Sequence, residues 1–177
     1  MNISLTLHGQ AVRAALAALQ ERTANLTPVM RSIGMYYEGR VAENFRNQTD
    51  PAGNKWQPLA SWTIVRGLLA RKGIKKSGDL SKRGKTYLAG KRILWEHGDL
   101  AGAVHHQAGP TSVIIGVGGH IPYAAIHQFG GQAGRGKKVT IPARPYLAMN
   151  RWGFLELAER DRDRIVGIVQ THIMGRK

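Results

Sequence analysis

The stretch that most constrains the fold runs from Ile121 to Asn150, with the sequence IPYAAIHQFGGQAGRGKKVTIPARPYLAMN. It begins with a predicted short amphipathic helix started by Pro122 and stopped by Gly130, because proline suits a first helical position and glycine suits the left-handed residue after the last turn. A glycine- and lysine-rich hairpin region follows, in which Val139 and Ile141 alternate as in a half-buried strand. Two prolines then fix an extended path toward the last helix. No nucleophile–base pair or metal-ligand spacing occurs here, so the stretch indicates a shape-forming segment.

Helical patterns lie on both sides of this stretch. Gln10–Thr23 is alanine-rich with one apolar face, which predicts a first helix. Thr27 as N-cap and Pro28 as first residue open a second, longer helix. A short helix capped by its first residue is predicted over Ser61–Ala70, and a closing helix over Arg151–Met174. The apolar line of the long second helix consists of Val29, Ile33, Tyr37, Val41 and Phe45.

Alternating apolar residues predict an antiparallel sheet of about four strands. Asn2–Leu7 and Ile93–Trp95 each have the pattern of a short strand, and Val104–Gln107 and Thr111–Val117 flank a short loop as in a β-hairpin. Helices lie at both ends of the chain around these strands. We therefore predict an α+β fold in a single domain over residues 1–177, with the N-terminal and C-terminal helices packed on the sheet.

Residues 66–92 have a different character. They carry a single acid, Asp79, among many lysines and arginines, and glycines recur with little periodicity. Such a segment buries too little apolar surface to offset the entropy of ordering it, so we predict a long, flexible basic loop insertion. Its cations can follow phosphates without reading bases. The side chains assigned to DNA-phosphate contacts are Arg71, Lys72, Lys75, Lys76, Lys82, Arg83 and Lys85.

The net charge supports a polyanionic partner. The chain has 26 Lys and Arg against 11 Asp and Glu, a formal charge of +15. This charge has two interpretations: it keeps a small protein soluble, or it binds nucleic acid. No apolar run approaches the ~20 residues of a membrane helix, and the N-terminus lacks the pattern of a signal peptide. We therefore expect synthesis in a cytoplasm and no membrane partner.

Catalytic and metal-binding patterns are weak. There is no cysteine; His105 and His106 are neighbours on a predicted strand, so their side chains point to opposite faces. Besides Asp79, only Glu96 and Asp99 are acids near the basic middle of the chain, too few for a nuclease pattern. The glycine-rich residues 116–120 lack the Lys-Ser/Thr of a phosphate loop. We expect no enzyme activity, no metal and no cofactor.

Four blocks, in order along the chain, point to a family. They are FRNQTDPAGNKWQPLASWT at Phe45–Thr63, ILWEHGDLAGAV at Ile93–Val104, HQFGG at His127–Gly131 and IPARPYL at Ile141–Leu147. They are distributed in this order over the chain from Phe45 to Leu147. The combination resembles the phage virion morphogenesis (tail completion) proteins of tailed bacteriophages.

This resemblance implies a structural role in the virion. It implies a protein at the head–tail neck or tail end that forms a homo-oligomeric ring, expected to be six-fold from tail symmetry. The ring would complete the tail, join it to the connector or adaptor, and contact tail-terminator or tail-tube proteins, with genome DNA in its channel. The alternative is a sequence-independent nucleic-acid-binding module that acts through the basic loop. Within a ring, the loop has two interpretations: it contacts genome DNA, or it is an arm that docks onto an acidic patch of an adjacent ring protein.

Candidate interface residues follow from the same stretch. Tyr123, Ile126, Phe129 and Tyr146 lie in a turn-rich region with too little local chain to bury them, which indicates an oligomer interface. Arg144, between two prolines, carries a planar donor fork on a rigid extended segment. It is predicted either to contact a neighbouring subunit or to tether the chain internally to the last helix, at acids such as Glu156 or Glu159.

Overall fold

The computed structural model describes residues 9–153 and 155–175. Within these residues the chain forms seven α-helices, four β-strands and one 3-10 turn at Arg135–Lys137. The strands are β1 Val104–Ala108, β2 Val113–Val117, β3 Gly131–Ala133 and β4 Val139–Ile141. The helices are α1 Gln10–Ala24, α2 Thr27–Asn47, α3 Ser61–Ala70, α4 Lys82–Gly90, α5 Asp99–Gly102, α6 Ala124–Phe129 and α7 Glu159–Met174. The strand expected at Asn2–Leu7 lies outside the described residues.

The mixture of helix and strand is confirmed, but the sheet is smaller than predicted. In the part of the chain that the structure describes, β1 pairs only with β2 and β3 only with β4, so two two-stranded sheets replace one sheet of about four strands. In the second sheet, Gly131 lies opposite Ile141. The strand predicted at Ile93–Trp95 is wrong: it is reduced to one bridge between Arg92 and Trp95. Leu94 adopts a φ of +56°, which interrupts an extended run.

The long helix α2 confirms the clearest periodic pattern in the sequence. Its predicted apolar line is buried along its whole length, from Val29 at 2% exposed to Phe45 at 0%. Residues spaced three or four apart share one helix face, so the line becomes a single stripe directed into the protein.

The described residues divide into two compact units. The first contains residues 9–37, 106–115 and 159–175, and here α1 packs against α7. The hydroxyl of Tyr36 donates to Oδ1 of the buried Asp161 at 2.6 Å. Gly34 allows a close approach of His106, since a Cβ at this glycine would lie 2.3 Å from the imidazole ring. The single-domain organisation stays a prediction.

The second unit contains residues 38–105 and 116–158. Its core consists of apolar side chains from the second half of α2, from the segment after it and from the IPARPYL block. The closing helix was predicted from Arg151, whereas α7 begins only at Glu159. A turn at Gly153, with a φ of +81°, and a bridge between Met149 and Leu155 occupy the preceding residues instead.

Residues 61–90 form what we call the basic helical hairpin, which consists of α3, the connection at residues 71–81 and α4. The predicted irregular loop is therefore not confirmed. The connection is closed by a bridge between Ile74 and Leu80, and the Ser81 hydroxyl caps α4 by accepting from the backbone N of Gly84 at 3.2 Å. Gly73 and Gly84 touch: a Cβ at Gly84 would lie 2.1 Å from the carbonyl oxygen of Gly73. These glycines permit the connection after α3 to pack closely against α4.

Candidate functional site

Gln128 organises the stretch that the sequence singles out. It lies on α6 and is 2% exposed. Its Oε1 accepts hydrogen bonds from the backbone N of Tyr146 and of Leu147, both at 3.0 Å. Its Nε2 donates to the carbonyl oxygens of Leu147 at 2.8 Å and Met149 at 3.2 Å. One side chain thus satisfies four backbone groups of the extended segment, as buried polar groups require. This role is not predicted from the sequence, in which its one signal is a glutamine on the apolar side of a short helix.

Tyr146 closes an aromatic cluster with side chains from far along the chain. Its ring lies 5.2 Å from that of Phe45, which in turn meets Trp56 edge-on at 5.5 Å. The Trp56 indole donates to the carbonyl oxygen of Pro145 at 2.8 Å, and Asn44 donates to that of Tyr146 at 3.1 Å. Burial raises the pKa of the Tyr146 hydroxyl to about 12. Tyr146 is therefore a core residue of its own unit.

Arg144 is an internal tether. Its Nε and Nη2 donate to the carbonyl oxygens of Gln57 and Pro58, each at 2.9 Å. The side chain is buried, and this burial lowers the pKa of the guanidinium. The tether predicted as one alternative therefore exists, but it holds the segment after α2 rather than an acid near the last helix. Arg144 and Tyr146 are occupied inside the unit, which corrects the premise that nearby chain leaves Tyr146 uncovered. Their assignment to an oligomer interface stays a prediction.

The other three predicted interface residues lie nearer the surface. Tyr123 is 40% exposed and meets His127 edge-on at 5.8 Å, whereas Ile126 and Phe129 are half-buried. The buried Nδ1 of His127 has no hydrogen-bond partner, and burial, with the charge of Arg144, lowers the pKa of its imidazole. Their role as an interface stays a prediction.

Large apolar side chains are exposed along the same part of the chain. Tyr123 is one of them. Three others in the stretch up to Leu155 are more than half exposed, namely Val139, Trp152 at 75% and Leu155. Trp152 lies in the turn before Gly153, with its backbone N bonded to the side-chain oxygen of Asn150 at 3.0 Å. A rigid scaffold thus presents apolar groups outward.

The predicted phosphate-binding cations lie on the basic helical hairpin, and six of the seven are exposed without an ion pair among the described residues. Those six are Lys72, Lys75, Lys76, Lys82, Arg83 and Lys85. Arg71 differs, because its guanidinium lies 4.7 Å from the ring centre of Tyr87 and donates to Glu96 at 2.9 Å. Glu96 also binds Lys91, and these contacts lower the pKa of its carboxyl. Arg71 is held inside a local network.

Helix α3 exposes a second apolar surface. Leu68 is buried and Gly67 lies against Tyr87, as the inner face of the hairpin requires. On the outer face, Trp62, Val65 and Leu69 are 68%, 37% and 57% exposed. We call these three residues the α3 stripe. Its exposure is unusual for a surface helix, whose outer face is normally polar.

Neither a metal-binding cluster nor a membrane-spanning helix is found in the described chain. No group of three or more His, Asp or Glu side chains in residues 9–153 and 155–175 could hold a metal ion. None of the helices in these residues is long and apolar enough to cross a bilayer.

Comparisons with known proteins agree with the four sequence blocks. The model of the phage virion morphogenesis family matches residues 7–174. A curated relative, the Mu-like prophage FluMu G protein 2 of Haemophilus influenzae, is 32% identical over 156 residues, which cover 88% of this chain and 90% of that protein. The putative capsid assembly protein G of Escherichia phage Mu is 36% identical over 74 residues, or 41% of this chain and 46% of that protein. No solved structure matches. Because the family model and the first relative both span most of its length, the chain belongs to the phage virion morphogenesis family.

Proposed function

We propose that this protein acts at the head–tail neck or tail end of a tailed phage, where its copies form a closed ring that completes the tail and joins it to the connector. Family membership supports a structural or assembly role in the virion. The name of the phage Mu relative refers to capsid assembly, which agrees with a non-enzymatic role.

The main support for a ring is the set of apolar side chains that are exposed between Tyr123 and Leu155. They project from a scaffold that Gln128 and Arg144 hold in one conformation. A surface ordered before binding loses less entropy on association. Different patches of identical copies can meet head to tail, and such contacts close into a ring when the rotation allows.

The proposal is tested by changing this surface alone. Trp152→Ser with Leu155→Ser removes two of its most exposed members without touching the buried core. Leu16→Ser with Ile114→Ser is a matched control, since both leucine and isoleucine are also more than half exposed but lie in the other unit. Particles made with the first variant should lack the ring and have incomplete tails, whereas the control should complete them. Complete tails with both variants would refute this surface as the subunit contact.

A second candidate function, sequence-independent nucleic-acid binding, is favoured by the six exposed cations of the basic helical hairpin. It is compatible with a ring whose hairpins face the DNA channel. Replacing all six by Gln should weaken duplex binding equally for unrelated sequences and lower the log–log salt slope by about 0.9 per lost phosphate contact. Unchanged affinity and slope would exclude the hairpin as the DNA-binding element.

A further inference from the structure

Helix α3 is apolar on two opposite faces, although its own unit covers only one. At about 100° per residue, Trp62, Val65 and Leu69 fall within an arc of about 60°, and Arg66 lies about 40° outside that arc. Leu68 and Gly67 lie on the side that packs against α4. Full burial of a leucine-sized side chain is more favourable than its exposure to water by about 1.5–3 kcal/mol. A covering partner would recover this free energy.

The charges around the α3 stripe select the kind of partner. Between residues 61 and 90 there is one acid, Asp79, and its carboxylate already accepts from the Ser77 hydroxyl at 2.8 Å. The same residues include eight cations, namely Arg66, Arg71, Lys72, Lys75, Lys76, Lys82, Arg83 and Lys85. A second copy with a net charge of +15 brings mostly like charge to this surface, and such juxtaposition suppresses pairing. Acidic groups around an apolar line would be complementary.

We propose that the α3 stripe is a docking site for an acidic amphipathic helix of a different virion protein. A helix of ten residues is about 15 Å long and can pack along about three turns of another helix. The partner would place apolar residues at i, i+3 and i+7 on Trp62, Val65 and Leu69, as in helix recognition generally. Its flanking carboxylates would meet Arg66 and the cations of the basic helical hairpin. Only the choice of a virion protein as partner rests on the proposed function.

A designed peptide tests the chemistry in solution. The probe is a helical peptide with Leu at i, i+3, i+4 and i+7 and Glu at most other positions, and its binding to the full chain is measured by fluorescence anisotropy. Trp62→Ser with Leu69→Ser should weaken binding at least tenfold, and Val65→Ser should weaken it in the same direction. Leu16→Ser with Ile114→Ser is the control and should bind as wild type does. Far-UV circular dichroism checks that each variant is folded.

Three results would overturn the proposal. Equal affinity of wild type and stripe variants would mean that charge alone holds the peptide. Equal binding of a peptide with the same leucines but Lys in place of Glu would remove the acidic requirement. A loss of duplex DNA binding or of self-association in the stripe variants would identify nucleic acid or a second copy as the occupant.

Cross-linking in the assembled particle tests the natural partner. The chain contains no cysteine, so Val65→Cys introduces a single thiol for a photo-activated cross-linker. An adduct with another virion protein, mapped by mass spectrometry to an acidic helical segment, supports the proposal. An adduct with the same chain or with DNA, or no adduct in complete particles, contradicts it. Peptide binding that persists in a chain that forms no ring would refute the ring and leave the docking site standing.

Discussion

At the scale of single residues, Gln128 should contribute more to stability than any exposed polar side chain. Gln128→Leu removes the acceptor of the backbone N–H groups of Tyr146 and Leu147. It also removes one donor to each of two carbonyl groups, of which that of Leu147 still accepts from the backbone N of Met149. Each unsatisfied buried group costs about 1–3 kcal/mol, so we expect the free energy of unfolding to fall by about 3–5 kcal/mol in urea denaturation. Gln170→Leu, at an exposed position of α7, is the control. A loss below 1 kcal/mol for Gln128→Leu would contradict the role assigned to this side chain.

Arg144 should behave as a tether within one chain. Arg144→Ala removes the donors that serve Gln57 and Pro58 and should lower the free energy of unfolding by about 2–4 kcal/mol, since hydrogen bonds to charged groups contribute about 1.5–3 kcal/mol each. Arg144→Lys should recover only part of the loss, because an ammonium lacks the planar fork. Arg151→Ala, at an exposed arginine, should change little. Wild-type stability of Arg144→Ala with failed assembly would instead restore the subunit contact.

Tyr146 should make the protein sensitive to high pH. Its pKa is raised to about 12 in the folded protein, against about 10 for an unfolded tyrosine. Its contribution is fully present below pH 10 and is lost as the pH rises toward 12, because the unfolded chain ionises first. Two pKa units correspond to about 2.7 kcal/mol. Tyr146→Phe should reduce the fall in stability between pH 9 and 12 by about this amount; identical pH profiles for the two proteins would refute the burial argument.

The sequence predicted which residues matter in this stretch better than it predicted what they do. Tyr146 is assigned to an interface because the residues near it in the chain are too few to cover it, and Arg144 because its donor fork lies on a rigid extended segment. Their partners come from far earlier in the chain: Arg144 donates to Gln57, 87 positions earlier, and Tyr146 packs on Phe45. Trp56 donates to Pro145, 89 positions later. Such long-range contacts leave no periodic signal in the local sequence.

At the scale of elements, the glycines of the basic helical hairpin should be required where the connection touches α4. Gly84→Ala places a Cβ 2.1 Å from a backbone oxygen of Gly73, so α4 must move away from the connection that follows α3. Overpacking of this kind costs about 1–3 kcal/mol. Gly90→Ala is the matched control, because no atom lies within 4 Å of a Cβ at that position. Hydrogen exchange across residues 61–90 should rise in the first variant only. Equal exchange in both variants would favour a loop without fixed packing.

The helical period of apolar residues decides which elements could be predicted from the sequence. Helix α2 was predictable because its apolar residues repeat at the helical period over several turns. The basic segment has no such period, and its glycines suggested mobility although Gly73 and Gly84 permit close contact. The charged run at the start of α7 gives no sign that Asp161 is buried, where it accepts a hydrogen bond from the Tyr36 hydroxyl. Burial of one carboxylate by one hydroxyl is a tertiary event that composition does not reveal.

At the scale of the whole molecule, two surfaces have separate tasks in our account. The apolar side chains between Tyr123 and Leu155 join copies of the chain, and the α3 stripe binds a different protein. Variants of the first surface should lose the ring. Trp62→Ser with Leu69→Ser should keep the ring and lose only the joining of tails to heads. Loss of the ring in the stripe variant, as seen by electron microscopy of isolated tails, would show that the two tasks are not separate.

The most direct test of the central claim is a cryo-electron microscopy reconstruction of the neck and tail end of a particle that carries this protein. We predict a closed ring of six copies at one of these positions, with residues from Tyr123 to Leu155 at the contacts between neighbours. Single copies that do not touch one another, or a location away from the head–tail axis, would contradict it.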